Sequence, residues 1–290
     1  MSPGHRLRAV IADTGLAQVM AAHSPLSAGL AEEAGFDGIW ASGFELSALY
    51  GLADASLITM TQHLDMTRAI AARISLPIVA DLDTGFGNAV NLAYAVECYE
   101  QAGVAAVVIE DKTFPKMTSL VAEGRQELAR VAEFEGKVAA ACAARHDPAL
   151  LVIARTEALI AGHGEAEALQ RATAYAAAGA DMILVHSKQK TPAEIESFVR
   201  AWNQPTPLVI VPTAYPEMDE ARIRALGKIG MVIYGNHAIR AAVTAMQDIF
   251  ARIRRDGGIR QVHDAIVPVE EIFRLQRMDL IKAREKAFLR

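Results

Sequence analysis

Cysteine is nearly absent from this chain, with Cys98 and Cys142 the only two in 290 residues. Both fall in apparent helices and neither stands at metal-ligand spacing. A thiolate metal centre and a disulfide framework are therefore excluded, and packed free thiols of a reducing compartment are expected. Aromatic residues are scarce too, at 6%; with alanine abundant, this suits helices packed closely around a sheet. Positive charge is not in excess: 29 Lys and Arg stand against 34 Asp and Glu, a net −5. That balance offers no basic face to nucleic acid or to an anionic membrane, so an anionic substrate would have to be held by local cations. No apolar run approaches the ~18 residues of a membrane span. Arg6 and Arg8 before an apolar stretch imitate a signal peptide, but Asp13 interrupts it and no cleavage region follows. A cytoplasmic protein is expected. Linkers, low-complexity segments and charge blocks are also missing, so residues 1–290 are expected to form one domain.

What is present is a repeated unit. Apolar runs lie at 17–22, 38–42, 77–81, 105–110, 150–155, 182–186, 207–212 and 231–235, and helical patterns follow them, as at 25–34, 61–73, 90–102 and 165–178. Most of the runs are continuously apolar rather than alternating, the mark of strands buried on both faces of a parallel sheet. Gly35, Gly103 and Gly179 each follow an Ala at the end of a helix, as C-caps do. Eight such units predict an α/β fold, a single (β/α)8 TIM-type barrel, with a doubly wound open sheet as the competitor. Beyond them, 269–290 reads as one further helical stretch with Ile272, Phe273, Leu275, Leu280 and Ile281 near one stripe. This C-terminal extension would cap the barrel or exchange with a neighbouring subunit.

The charges sit at the C-terminal tips of the runs, where barrel enzymes carry their chemistry. The tips read Ser42-Gly43, Asp81-Leu82-Asp83, Glu110-Asp111, Arg155-Thr156-Glu157, His186-Ser187 and Asn236-His237. Carboxylates on neighbouring strands do not stay ionised together without a cation, so Asp81, Asp83 and Glu110 read as a hard-metal site for Mg2+ or Mn2+. The bland reading, carboxylates paired with Arg and Lys, has Arg155 as its main rim candidate. Gly85-Phe86-Gly87-Asn88-Ala89-Val90 imitates a dinucleotide loop, but the two preceding aspartates would repel a pyrophosphate; a sharp turn beside the metal fits better. Arg155 and His186 read as a joint anion clamp. Asp54 falls in a long loop after the second strand, where a lone Asp is ordinarily just solvated. Lys116, Thr118 and Ser119 belong to a loop, 112–124, long enough to act as a lid over the mouth.

Taken together, Glu110-Asp111-Lys112-x-Phe114-Pro115-Lys116, Asp81-x-Asp83-Thr84-Gly85-x-Gly87-Asn88, Trp40-x-Ser42-Gly43, Val152-x-Ala154-Arg155-x-Glu157-Ala158, His186-Ser187-Lys188 and the late Glu271-Ile272-Phe273-Arg274-Leu275-Gln276-Arg277 resemble the phosphoenolpyruvate mutase/isocitrate lyase superfamily. The resemblance spans nearly the whole chain. The lyase branches carry a catalytic Cys in the 112–124 loop and this chain has none there, which favours the phosphonate-handling branch. The mutase pattern places Asn where Lys116-Met117-Thr118-Ser119-Leu120 has Thr118. The resemblance therefore implies hydrolysis of the carbon–phosphorus bond of phosphonopyruvate to pyruvate and phosphate, through a metal-stabilised pyruvate enolate. The mutase interconversion with phosphoenolpyruvate is the alternative, followed by a carbon–carbon lyase or oxaloacetate decarboxylase. It further implies Asp81 as direct ligand of a divalent metal (Mg2+, with Mn2+ or Co2+ as substitutes) and Asp83 and Glu110 as ligands through water. Ser42, Gly43 and Phe44 would line the substrate pocket, Phe44 standing where the mutase usually has Leu. Arg155 and His186 would hold the anionic ends, Asp54 would lie beside the reacting phosphorus, and Lys116 and Thr118 would close over it. A homodimer or homotetramer is expected.

Overall fold

Apolar runs too short for stable helices bury both faces only as strands sandwiched between a barrel interior and a layer of helices. The computed structural model describes residues 1–121 and 124–290; Ala122 and Glu123, within the predicted 112–124 loop, lie outside the described residues. The strands are β1 (Ala17–Ala22), β2 (Gly38–Ala41), β3 (Ile78–Asp81), β4 (Ala106–Glu110), β5 (Leu151–Thr156), β6 (Met182–Val185), β7 (Leu208–Ile210) and β8 (Ile229–Tyr234). All neighbours pair in parallel and β8 pairs back onto β1, closing the barrel in sequence order. This is the predicted (β/α)8 fold, and the open sheet is excluded.

Successive residues of a strand point to opposite faces, and the core splits accordingly. Val19, Trp40, Val79, Val108, Ile153, Leu184, Val209 and Met231 fill the interior. Their neighbours Ile39, Ala80, Val107, Ala154 and Ile183 instead pack outward with helix residues such as Leu92, Phe134 and Tyr175. Carrying that alternation to the strand tips decides which polar groups enter the mouth. Ser42, Asp81, Glu110, Arg155, Glu157 and His186 share the inward parity; Asp111 and Thr156 face the helices.

The chain divides by contact into Met1–His237, which holds the barrel, and Ala238–Arg290. In the second unit the 269–290 stretch is not one helix. Val269–Leu275 and Met278–Phe288 are separated at Arg277, whose φ of +56° breaks the helical path. In the first, the stretch with Arg6 and Arg8 is an amphipathic helix, Pro3–Thr14, capped by the Ser2 hydroxyl. Its Leu7 joins the interior cluster, and Arg8 reaches Asp181 at 2.7 Å. No described helix is long and apolar enough to cross a membrane.

Candidate active site

One cavity opens at the C-terminal mouth, and the predicted residues Ser42, Phe44, Asp54, Asp81, Lys116, Thr118, Arg155 and His186 all line it. Gly43, Asp83 and Glu110 complete the predicted set by touching that lining. The Gly43 N–H donates to Asp81 Oδ2 at 3.2 Å, Asp83 Oδ1 lies 2.6 Å from Lys116 Nζ, and Glu110 Oε2 lies 3.3 Å from Arg155 Nε. Ser42 caps the short helix Gly43–Leu49, so the expected long loop after β2 is partly helical. Position 43 suits glycine for a steric reason: a Cβ there would sit 3.2 Å from both Asp81 Oδ2 and Asp83 Oδ1.

On the β3–β4 side the carboxylates of Asp54, Asp81, Asp83 and Glu110 crowd around a single ammonium. Lys116 Nζ is 2.6 Å from Asp83, 3.1 Å from Asp54 and 4.0 Å from Glu110. Burial opposes the Lys116 charge, yet Asp83, Glu110 and Asp54 together hold it well above the usual lysine range. One shared lysine does not satisfy its partners in return. Burial pushes Asp83 up to about 6, and Asp81 is also raised by burial despite Lys116 and Arg155. Lys116 is thus a second cation at the carboxylates, one that the bland reading of the sequence had placed mainly on Arg155.

A divalent cation fits this set. Four ionised carboxylates against Lys116 and Arg155 leave a formal charge of −2, and both Glu110 oxygens are buried with no hydrogen-bond partner. Among the described residues no three His, Cys, Asp or Glu side chains converge closely enough to chelate a metal unaided. That suits Mg2+, which keeps several waters and takes only one or two carboxylates directly.

The β5–β6 side is built to receive negative charge. Arg155 donates from Nε to Glu157 at 2.6 Å and from Nη2 to Ser119 Oγ and His186 Nδ1, both at 3.0 Å. Because a guanidinium only donates, Nδ1 of His186 must accept, although Glu157 Oε1 also lies 3.4 Å from it. Burial lowers the His186 pKa, so the ring is neutral with its proton on Nε2, a buried atom with no partner.

Glu157 and Lys112, to which the sequence reading gave no role, form a further part of the site with Ser119, which it had placed only in the loop. Glu157 is fully buried; burial raises its pKa, but Arg155 and Lys112 outweigh this and hold it well below the usual carboxylate range. The inward parity shared with Ile153 and Arg155 is the signal that would have found it. The same rule removes Asp111 from the mouth: its carboxylate accepts from Tyr175 Oη at 2.7 Å, Arg171 Nη1 at 3.2 Å and the Glu157 N–H at 2.8 Å. From β7, whose tip offered no charge, Thr213 joins the lining.

A closed parallel barrel with a cation-seeking carboxylate cluster facing an Arg–His anion clamp defines a (β/α)8 enzyme for a small, multiply charged anion. The sequence profile of the phosphoenolpyruvate phosphomutase family matches residues 7–254. The chain is 59% identical over 290 residues, covering 100% of both chains, to the phosphonopyruvate hydrolase of Variovorax sp. (strain Pal2). It is 44% identical to the phosphoenolpyruvate phosphomutase of Tetrahymena pyriformis, covering 98% of this chain and 94% of that one. The crystal structure of phosphonopyruvate hydrolase in complex with oxalate and Mg2+ superposes with a TM-score of 0.94, at 57% identity over 100% of both chains. The protein belongs to the phosphoenolpyruvate phosphomutase family.

Proposed function

We propose that this enzyme hydrolyses the carbon–phosphorus bond of phosphonopyruvate, giving pyruvate and phosphate. The observation that carries this reading is the place of Thr118, which lines the cavity together with Asp54, Arg155 and His186. Its hydroxyl stands where the mutase pattern has an amide. The cavity's opposed ends match the substrate. Arg155 and the Nε2–H of His186 take the phosphonyl oxygens, and the Ser42–Phe44 turn takes the carboxylate end. A divalent cation held by Asp81, with Asp83 and Glu110 through water, would supply Lewis-acid stabilisation for the electron pair released by the breaking bond. Arg155 spreads the charge of the transferring phosphoryl group. Thr118 orients the attacking water, and Asp54 accepts its proton as the phosphorus–oxygen bond forms. Lys116, between Asp54 and Asp83, offsets charge on both sides of the reacting centre. The carbon left with the electron pair is protonated to the methyl group of pyruvate by the proton that Asp54 took from the water, which leaves Asp54 ionised for the next turnover.

The same reading includes a cytoplasmic homodimer or homotetramer. The exposed apolar residues Phe273, Leu280 and Ile281 of the C-terminal helices support helix exchange between subunits. The test is ³¹P NMR of phosphonopyruvate with the purified protein, in Mg2+ and then in EDTA. Metal-dependent growth of inorganic phosphate is expected, lost in Thr118→Asn. Growth of phosphoenolpyruvate instead would make the protein a mutase. With neither signal, oxaloacetate and 2-methylisocitrate become the substrates to try.

A further inference from the structure

Lys112 is a lysine with 2% of its side chain exposed, and the catalytic reading gives it nothing to do. Burying an ammonium is costly unless every N–H finds a partner, and here all three do. Nζ donates to the Met117 carbonyl at 2.7 Å and to Ser119 Oγ at 2.8 Å, and lies 3.1 Å from Glu157 Oε2. Ser119 is saturated in the same way. Its hydroxyl donates to Glu157 Oε2 and accepts from Lys112 and from Arg155 Nη2, which uses one donor and two acceptor sites. A hydroxyl with all three bonds engaged has one orientation.

The two loop residues held by Lys112, Met117 and Ser119, are the immediate neighbours of Thr118. Lys112 stands two residues beyond the end of β4, while Glu157 and Arg155 belong to β5 and its tip. Lys112 thereby ties the loop to the barrel on both sides of the residue proposed to place water. It also ties it to the guanidinium proposed to hold the phosphonyl group.

We propose that Lys112, with Glu157 as its buried counter-ion and Ser119 as its link, is a latch that positions Thr118 and Arg155 relative to each other. Lys112 is a positioning residue and touches none of the metal-side carboxylates. The catalytic part of this inference rests on the hydrolase reading above; the structural part does not.

The test is a double-mutant cycle between Lys112→Met and Thr118→Ala, scored by phosphate release, alongside trypsin cleavage after Arg125 in Mg2+ and oxalate. Lys112→Met is expected to lower kcat about a hundredfold, the scale of a ~1 Å misplacement. Its KM should change little and its Mg2+ affinity by less than about twofold. Lys112→Met should slow Thr118→Ala by much less than a hundredfold, because the part of its effect that runs through Thr118 is already lost there. Trypsin should cut the loop of Lys112→Met about tenfold faster than that of the parent protein. Should Lys112→Met fail to fold, Ser119→Ala keeps the buried ion pair and removes only the link, with the same expectations. Multiplying effects in the cycle, or unchanged loop cleavage in a folded variant, would overturn the latch. An unmodified protein that releases no phosphate refutes the hydrolase reading, and the cleavage rates then still decide the latch.

Discussion

Asp83 shows how the site pulls a residue in two directions. Its ordinary pKa of 3.8 is pushed up to about 6, by burial first and then by Asp81, Asp54 and Glu110, against the pull of Lys116. In the metal-free protein the folded state therefore holds more protons than the unfolded chain between those values. The corresponding stability is fully present below 3.8 and is lost as the pH rises through about 6. Cation binding wants the opposite, an ionised carboxylate. Mg2+ affinity should accordingly weaken about tenfold per pH unit below about 6. Calorimetric titrations at acid and neutral pH test this, and equal dissociation constants would remove Asp83 from the metal site. Most of the residues were legible because chemistry confines them: carboxylates and an Arg–His pair at the tips of otherwise apolar strands have few other uses. Lys116 was placed in the lid, but its spacing from Asp83 in sequence gave no sign that its ammonium enters the carboxylate cluster.

At the scale of elements, the helix Gly164–Ala177 does work for the site without touching it. Its Arg171 and Tyr175 hold the outward carboxylate of Asp111, whose other oxygen takes the Glu157 N–H. Tyr175→Phe should cost about 2 kcal/mol of stability, the scale of a hydrogen bond to a buried charge, and leave KM nearly unchanged. Denaturant unfolding and steady-state kinetics measure the two separately; a raised KM with full stability would mean that the helix tunes the site instead. Glu110 and Asp111 looked alike as adjacent acids in the sequence. Only the alternation set by Val107 and Val108 sends one inward to the cavity and the other outward to this helix. The same alternation would have singled out Glu157, which was named at the strand tip beside Arg155 but given no role. The break at Arg277 was not legible, since the apolar stripe runs on through it.

For the whole molecule, an uncompensated charge of −2 in a buried mouth means that a divalent cation should bind the folded protein alone and stabilise it. Mg2+ at about a hundred times its dissociation constant should contribute about 2.7 kcal/mol and raise the Tm, an effect that EDTA reverses. In Asp81→Ala the rise should shrink sharply and kcat/KM fall by several orders of magnitude. An undiminished rise would place the cation elsewhere.

The sequence by itself determined an α/β fold of eight parallel strands, because mostly apolar runs between helical patterns bury both faces in no simpler way; that the sheet closes rather than stays open was decided by β8 pairing back onto β1. It also determined which chemical groups stand at the rim. Tertiary structure decided which of them face each other. Side-chain parity at the strand tips and the path of the loop after β4 depend on contacts between residues far apart in the chain. Those contacts put Lys116 among the carboxylates and Lys112 against Met117 and Ser119, on either side of Thr118 in the chain.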